Sequence, residues 1–553
     1  MDSSQDSPPP ASSAAPLLGR SGWLLAALSG VLYGISFPPL ALRPLAWIAL
    51  VPLLLSLRGG SLLRAALLGA LWAHVETYVT SDCLPGAVVS YYKQSPTVGW
   101  LILEGATLAT MVPWYGAFAV AYRVLAQRPG ASLPWLAAAA WVACEFLRTR
   151  WLGGNPWAVS GYSQVGILPV VQVADLAGVH GISFAIALVN ATLAEMLAPA
   201  LAGGSRPGLR APWRMAVAPA AVVAGILLYG LARTTGSGAG EAHAEGARRV
   251  DSSPILIVQA NLSIGTQWRE EMYGQNLDTY LRMTWEAGRE TRPDLVFWPE
   301  SALTFFLAEE PSYRTSIARV LSLLGTQLVT GGPREEAGGG EDDPAFFNAT
   351  FLLSSHGEIL GWQDKTKLLP FAEYFPLQSI DLLRRQFGRA RQFTPGDRRP
   401  PLPTSVGRAG VIVCNEAMFP EPARERVDDG AEFLVNPAND SWFASLKYSL
   451  QAFDMVRLRA IEQRRWIVRT STAGPSAVID DVGRVVVETP SFERAWTGGR
   501  VERRHGRTLY GRVGDAFAIV CLAVAALGLA ARWRRGRTPD RLSGLDRHGE
   551  SVV

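Results

Sequence analysis

The 553-residue sequence predicts a polytopic α-helical membrane bundle of about eight transmembrane helices combined with an α/β domain. Apolar segments follow one another through the first 235 residues, and another lies near the C-terminus. Residues 250–500, in contrast, alternate short β-rich runs with helical patterns, which is typical of an α/β fold. The hydrophobic fraction of 48% and the mean hydropathy of +0.14 also favour a membrane protein.

Eight apolar segments are candidate membrane helices, several of them near the length of about 20 residues that crosses a bilayer. They cover residues 22–38, 43–57, 62–80, 98–126, 132–147, 178–200, 213–232 and 514–533. A cleaved signal peptide is the alternative for the first segment, but six more apolar segments follow it at once. The Ser/Pro/Ala-rich residues 1–21 are expected to be a disordered tail.

The distribution of arginine predicts the orientation in the membrane. With a cytoplasmic N-terminus, the inside loops contain Arg58, Arg64, Arg123, Arg128, Arg206, Arg210 and Arg214. The predicted domains are then a cytoplasmic tail at 1–21, a seven-helix bundle at 22–235, an external domain at 250–505, a last membrane helix at 511–533 and a cytoplasmic tail at 534–553.

Two carboxylates fall within the apolar segments, where an ionisable group is costly and needs an explanation. Glu145 is expected to form an ion pair with Arg148 near a helix end. Glu104 either orients a substrate or has a structural role within the bundle.

Charge and cysteine content exclude several classes of function. A formal net charge of +4 is too slight to indicate a nucleic-acid surface. The cysteines Cys83, Cys144, Cys414 and Cys521 show neither a disulfide framework nor a metal-ligand spacing, and the six histidines are scattered singly. We therefore expect no metal site.

Glu300, Lys365 and Cys414 form a candidate catalytic set, since Glu300 and Cys414 follow predicted strands of the α/β domain. A cysteine becomes a nucleophile when a base takes its proton, and a buried glutamate can be that base. A lysine ammonium can stabilise the oxyanion that develops on an attacked carbonyl. Each residue alone also has a structural explanation: a solvated turn glutamate, a surface lysine and a small buried cysteine.

The motifs "VFWPES", "DKTKLLPFAEYFP" and "VCNEAMFP", in this order, resemble the nitrilase (carbon–nitrogen hydrolase) superfamily with its Glu-Lys-Cys triad. Together with the membrane segments, the chain resembles one membrane-embedded branch of that superfamily, the apolipoprotein N-acyltransferase family. The segments "LRTRWLGGNPWAVSGYSQ" (147–164), "VQANLSIGTQW" (258–268) and "NPANDSWF" (436–443) extend the resemblance. It implies an αββα sandwich for residues 250–505, on the periplasmic side of a bacterial inner membrane.

The resemblance implies a role for each matched residue. Glu300 is the general base, Lys365 the oxyanion stabiliser and Cys414 the nucleophile. The supporting and pocket residues would be Glu373, Glu416, Trp268, Asn415, Trp157 and Trp442. The chain departs from the family pattern at Asn415, Lys367, Ala372 and Ala452, where Tyr, His, Gly and His are common.

The implied reaction is acyl transfer without a cofactor. A membrane phospholipid would be the acyl donor, a cysteine thioester the intermediate and a diacylglyceryl apolipoprotein the acceptor, with the enzyme acting as a monomer. Two alternatives remain open: a membrane-tethered nitrilase-type amidase, in which water accepts the acyl group, and a non-catalytic lipoprotein-binding paralogue.

Overall fold

The computed structural model describes residues 21–201, 212–236, 252–263, 268–336, 344–374 and 392–537. Residues 1–20 of the predicted N-terminal tail and residues 538–553 of the C-terminal tail lie outside the described residues. The described chain contains a helical bundle and an α/β domain, and a final long helix packs back against the bundle.

The bundle is built around a buried aromatic cluster. Its helices are α1 Ser21–Gly34, α2 Ala46–Ala49, α3 Val51–Ser56, α4 Leu62–Thr80, α5 Leu84–Tyr92, α6 Pro96–Thr110, α7 Val112–Leu125, α8 Leu133–Arg148, α9 Leu168–Val171, α10 Ala174–Leu201 and α11 Pro212–Gly236. Trp72 and Trp141 meet edge to face with ring centroids 5.5 Å apart, and Tyr33 and Tyr115 pack against both rings. Such large rings bury much apolar surface and fix how the helices pack.

Two predicted apolar segments are interrupted. The segment 98–126 divides into α6 and α7 at Met111, because Pro113 has no N–H to continue the helical bonding. The segment 43–57 divides at Leu50, whose N–H donates to Asn190 Oδ1 at 2.8 Å. The short helix α5 lies in a stretch for which no apolar segment was predicted.

Within the described residues, three helices are long and apolar enough to cross a membrane by length and composition: Ala174–Leu201, Trp213–Thr235 and Ala516–Arg534. Ser21–Gly34 and Arg43–Ser56 are shorter apolar helices.

The expected ion pair between Glu145 and Arg148 is wrong. Glu145 instead accepts hydrogen bonds from the Ser160 backbone N–H at 2.8 Å and from Trp141 Nε1 at 3.0 Å. Arg148 donates through Nη1 to the carbonyl of Trp157 at 2.8 Å. Both side chains are fully buried, and each bonds to the backbone of the loop that follows α8, while Glu145 also accepts from Trp141 within its own helix.

The α/β domain has two six-stranded sheets. One has the order β12-β1-β2-β3-β4-β5 and the other β11-β10-β9-β8-β7-β6. The strands are β1 Ser252–Gln259, β2 Leu295–Phe297, β3 Gln327–Glu336, β4 Ala345–Leu353, β5 Ile359–Asp364, β6 Leu402–Thr404, β7 Gly407–Val411, β8 Phe433–Ala438, β9 Ile467–Ser471, β10 Ala477–Ile479, β11 Val485–Glu488 and β12 Ala495–Glu502. In each sheet a parallel centre, β1-β2-β3 or β7-β8-β9, is flanked by antiparallel strands.

The two sheets pack face to face, and helices cover both outer faces. Ile257 and Phe297 of one sheet share a buried core with Val411 and Val435 of the other. The covering helices are α12 Tyr273–Thr291 and α13 Pro311–Leu324 on the first sheet, and α14 Pro420–Asp428 and α15 Leu446–Gln463 on the second. The predicted αββα sandwich is thereby confirmed.

Helix α15 also joins the sandwich to the bundle. Its residues Met455, Leu458 and Ile461 are part of the buried core of the bundle. The Arg43–Asp454 ion pair, at 3.2 Å, crosses the same junction. After the last strand come α16 Leu509–Val513 and α17 Ala516–Arg537, and α17 packs along α8.

Candidate active site

The candidate catalytic residues all follow strands of the sandwich. Glu300 comes shortly after β2, Lys365 directly after β5, and Cys414 shortly after β7. Gly331 of β3 lets that strand approach closely, since a Cβ there would lie 2.7 Å from the Cα of Glu300. The sequence therefore brings three distant residues to one edge of the two sheets, where α/β folds bind ligands.

Asn348 links the two buried carboxylates at this edge. Its Nδ2 donates to Glu300 Oε1 and to Glu373 Oε1, each at 2.7 Å. Lys365 Nζ lies 2.9 Å from Glu373 Oε1 and 3.5 Å from Glu300 Oε1. Glu373 is thus the closer ion-pair partner of the lysine, which leaves Glu300 less tightly held.

Burial and neighbouring charges set the protonation states. Burial raises the pKa of Glu300, and the Lys365 ammonium opposes that shift. For Lys365, burial alone would lower the pKa, but Glu373 and Glu300 outweigh it and hold the pKa above its usual value. Lys365 is therefore a fixed cation, whereas Glu300 is a carboxylate with raised proton affinity, as a general base requires.

Cys414 stands at a turn with a left-handed backbone, φ +50°, where β7 gives way to the 3₁₀ turn Cys414–Met418. A non-glycine residue seldom adopts this conformation, and such residues concentrate at functional sites. Burial raises the pKa of the Cys414 thiol well above its ordinary value, and the Glu300 charge adds to the shift. The resting cysteine is thus a neutral thiol that needs a base to become a nucleophile.

Glu416 ties the lysine loop to the cysteine turn. Its Oε1 accepts from the backbone N–H groups of Thr366 and Lys367, at 2.8 and 3.0 Å, and its Oε2 accepts from Val413 N–H at 2.6 Å. Because this fully buried carboxylate holds both segments, it fixes the position of Lys365 relative to Cys414.

A cavity of about 280 Å³ connects these groups. Its lining residues come from both parts of the molecule and are Ser90, Tyr91, Lys93, Trp268, Glu300, Ser301, Gly332, Pro333, Asn348, Lys365, Leu369, Ala372, Glu373, Phe393, Cys414, Asn439, Trp442, Phe443 and Tyr448. The bundle supplies the first three of these residues from the C-terminal end of α5. In the described parts of the chain, no group of three or more His, Cys, Asp or Glu side chains could hold a metal ion.

The supporting residues named from the sequence divide into two sets. Glu373, Trp268 and Trp442 line the cavity. Glu416, Asn415 and Trp157 are not among its lining residues. Asn415 donates to the Lys367 carbonyl at 3.3 Å.

Trp157 lies behind the cavity wall as the third ring of a stack. Its ring is parallel to Tyr448 within 12°, with centroids 5.4 Å apart, and Tyr448 stacks in turn on Phe443 at 3.7 Å. Tyr448 and Phe443 line the cavity and Trp157 does not, so Trp157 supports the cavity wall from behind.

Sequence reasoning missed Asn348, Tyr448 and Lys93. Asn348 occurs in an Asn-Ala-Thr triplet whose only sequence signal, a glycosylation pattern, is unrelated to its position. The alternation of β4 could have placed it on the inner face, but its contact with Glu300 depends on the pairing of β3 with β4.

Comparison with known proteins matches both parts of the chain. Residues 29–192 match the family model described as "Apolipoprotein N-acyltransferase N-terminal domain", and residues 257–501 match "Carbon-nitrogen hydrolase". Apolipoprotein N-acyltransferase of Geobacter metallireducens is 32% identical over 525 residues, covering 93% of this chain and 96% of the relative. The protein of the same name from Azotobacter vinelandii is 31% identical over 537 residues, with the same two coverages, 93% and 96%.

Among solved structures, a carbon-nitrogen hydrolase from Helicobacter pylori G27 is 16% identical. It covers 54% of this chain and 99% of its own length, with a TM-score of 0.36.

Proposed function

The chain belongs to the apolipoprotein N-acyltransferase family, and from that premise we propose that it moves an acyl chain from a membrane phospholipid to a lipoprotein. The acceptor is the N-terminal α-amine of a diacylglyceryl-cysteine apolipoprotein, and the intermediate is a thioester on Cys414. One observation carries the proposal: a neutral thiol, a raised-pKa carboxylate and a fixed ammonium line one cavity whose wall includes the membrane bundle.

In the first half-reaction the Glu300 carboxylate takes the Cys414 proton, and the sulfur attacks the ester carbonyl of the phospholipid. The Lys365 ammonium stabilises the oxyanion. When the C–O bond breaks, Glu300 returns the proton to the departing glycerol oxygen. The products are a lysophospholipid and an acyl thioester on Cys414, so atoms and charge balance.

In the second half-reaction the neutral α-amine of the lipoprotein attacks the thioester, and Glu300 accepts the proton that the nitrogen loses. The C–S bond breaks, and the Cys414 sulfur recovers that proton. The amide is formed and the enzyme is regenerated without a co-reactant. Since both half-reactions use the same base, loss of Glu300 should slow both.

The contribution of the bundle to the cavity wall fits substrates anchored in a membrane. Drawing an acyl chain through water would cost about 0.8 kcal/mol per CH₂ group. Ser90, Tyr91 and Lys93 of the bundle line the cavity, which supports a route by which both lipid substrates reach Cys414 from the bilayer.

The proposal is tested by mass spectrometry of the purified enzyme. Incubation with a diacyl phospholipid should add the mass of one acyl group at Cys414, and addition of a diacylated lipopeptide should discharge it to a triacylated peptide. An N-acetylated lipopeptide, which has no free amine, is the matched control and should leave the adduct intact. Discharge by water at the same rate without any peptide would instead support an amidase.

For the arrangement in the membrane we propose a monomer with eight crossings in a bacterial inner membrane. The bundle at 22–235 supplies seven crossings and the helix at 511–533 the eighth, which leaves residues 250–505 in the periplasm. Support comes from the three long apolar helices and from the position of the sandwich between α11 and α17. The arginine-rich loops favour the cytoplasmic side.

Thiol labelling tests this orientation in a background that carries both Cys83→Ser and Cys414→Ser, since these two cysteines are partly exposed and the other two are buried. A cysteine in place of the exposed His356 should react with a membrane-impermeant maleimide once the outer membrane is permeabilised. A cysteine in place of Ala131, in the exposed loop between α7 and α8, should react only after the inner membrane is breached. The opposite pattern of labelling contradicts the orientation.

A further inference from the structure

The C-terminal turn of α5 contacts two other segments at the cavity, one at Trp442 and the other at the loop after Lys365. The Tyr91 ring packs on Trp442 with centroids 4.1 Å apart. The Tyr92 hydroxyl donates to the carbonyl of Phe371, in the loop that follows Lys365. These contacts fix the backbone of the next residue, Lys93, at the cavity.

Lys93 ends α5 in the left-handed conformation, φ +56° and ψ +33°, and its exposed side chain lines the cavity. None of the described residues gives its ammonium a hydrogen bond or an ion pair. The other lysine of the cavity, Lys365, is buried and already paired with Glu373 and Glu300. Among the described residues that line the cavity, Lys93 is therefore the cation that remains available to a ligand.

The two substrates differ in the charge they would bring to this position. A glycerophospholipid carries a phosphate one glycerol unit away from the ester that Cys414 attacks. The lipoprotein acceptor has no phosphate at its lipidated end and brings an amine instead. The Lys93 ammonium attracts the phosphate of the donor electrostatically and offers no such attraction to the amine of the acceptor.

We propose that Lys93 binds the phosphate of the acyl donor at the cavity and so positions its ester beside Cys414. The inference rests on the proposed function and adds a residue specific to the first half-reaction. Lys93 is a positioning residue, since it contacts the headgroup and not the reacting atoms. Its contribution to binding of the donor should be of the size typical of an exposed ion pair. That contribution should weaken as added salt screens the two charges.

The test measures the single-turnover rate of adduct formation on Cys414 at subsaturating donor. Wild type and Lys93→Gln are compared with dipalmitoyl phosphatidylglycerol and with dipalmitoylglycerol, which has the same chains and no phosphate. We expect Lys93→Gln to slow acylation by the phospholipid about fivefold and to leave acylation by dipalmitoylglycerol unchanged. The phospholipid difference should shrink when ionic strength rises from about 0.05 to 0.5 M.

Two further variants separate charge at the cavity from charge elsewhere. Lys93→Arg keeps the cation and should retain most of the phospholipid rate. Lys447→Gln removes a lysine that is outside the cavity lining and pairs with Asp82 at 2.7 Å, and it should not discriminate between the two donors.

Three results would overturn the inference. Equal slowing with both donors would mean that Lys93 only shapes the cavity. An unchanged phospholipid rate in Lys93→Gln, with a wild type that acylates normally, would mean that the phosphate is not bound there. If the wild type forms no Cys414 adduct with the phospholipid, the proposed function itself fails, and this inference fails with it.

Discussion

We expect that replacing Cys414 with serine will abolish acyl-enzyme formation, lowering its rate by a factor on the order of 10⁴–10⁶. The thiol is partly buried and its pKa is already raised. Glu300 can deprotonate it only because a thiol is a much stronger acid than a hydroxyl, and its sulfur is also the better nucleophile. A serine hydroxyl at the same turn presents that base with a far weaker acid. The measurement is the mass of the enzyme after incubation with phospholipid, together with the yield of triacylated peptide.

The matched control is Cys83→Ser, which removes a half-buried thiol that is not among the cavity-lining residues. This variant should form the adduct at the parental rate. Near-parental peptide acylation by Cys414→Ser would contradict the thioester mechanism, because the acyl group would then reach the amine without this sulfur.

Replacing Glu300 with glutamine should slow both half-reactions, by about 10²–10⁴-fold, the range typical of a lost general base. Glutamine keeps the size of the side chain and can still accept from Asn348, so the change removes the proton acceptor with little change of shape. Single-turnover acylation and single-turnover discharge of a preformed adduct measure the two steps separately. If Glu300→Gln acylates like the parent and Glu373→Gln does not, then Glu373 is the base.

The pH dependence provides a second readout of the same residue. The base works only as a carboxylate, so the wild-type rate falls as pH drops through the pKa of Glu300. Burial raises that pKa, and the acid limb should therefore lie above the value of about 4.3 typical of an unperturbed glutamate. The residual rate of Glu300→Gln should not show this fall at low pH, whereas the rate of Glu373→Gln should still show it.

The architecture and the central residues could be predicted because each leaves a local signal. Strands such as "AGVIVCNEA" are short apolar runs that end in a polar residue, and the structure ends β7 just before Cys414. Helix α12 begins at Tyr273, at the start of the helical pattern "YGQNLDTYLRMTWEAGRE". The order of the motifs along the chain then identified Glu300 and Lys365. In the structure both residues line one cavity together with Cys414.

What could not be predicted depends on contacts between distant elements. Glu145 bonds to Ser160 and not to Arg148, because the loop after α8 folds back onto the helix. Lys93 reaches the cavity only because the α5 turn packs on Trp442, more than 300 residues further along the chain. Such pairings have no periodicity in the sequence and appear only when the two parts of the molecule are assembled.

Helix α15 has a practical consequence for anyone who wishes to work with the sandwich in isolation. One side of the helix covers the second sheet, and the other side inserts Met455, Leu458 and Ile461 into the bundle. Excision of residues 250–505 would expose these apolar side chains and leave Asp454 without Arg43. The excised piece should therefore precipitate or require detergent during purification, unless those three positions are recoded with polar residues.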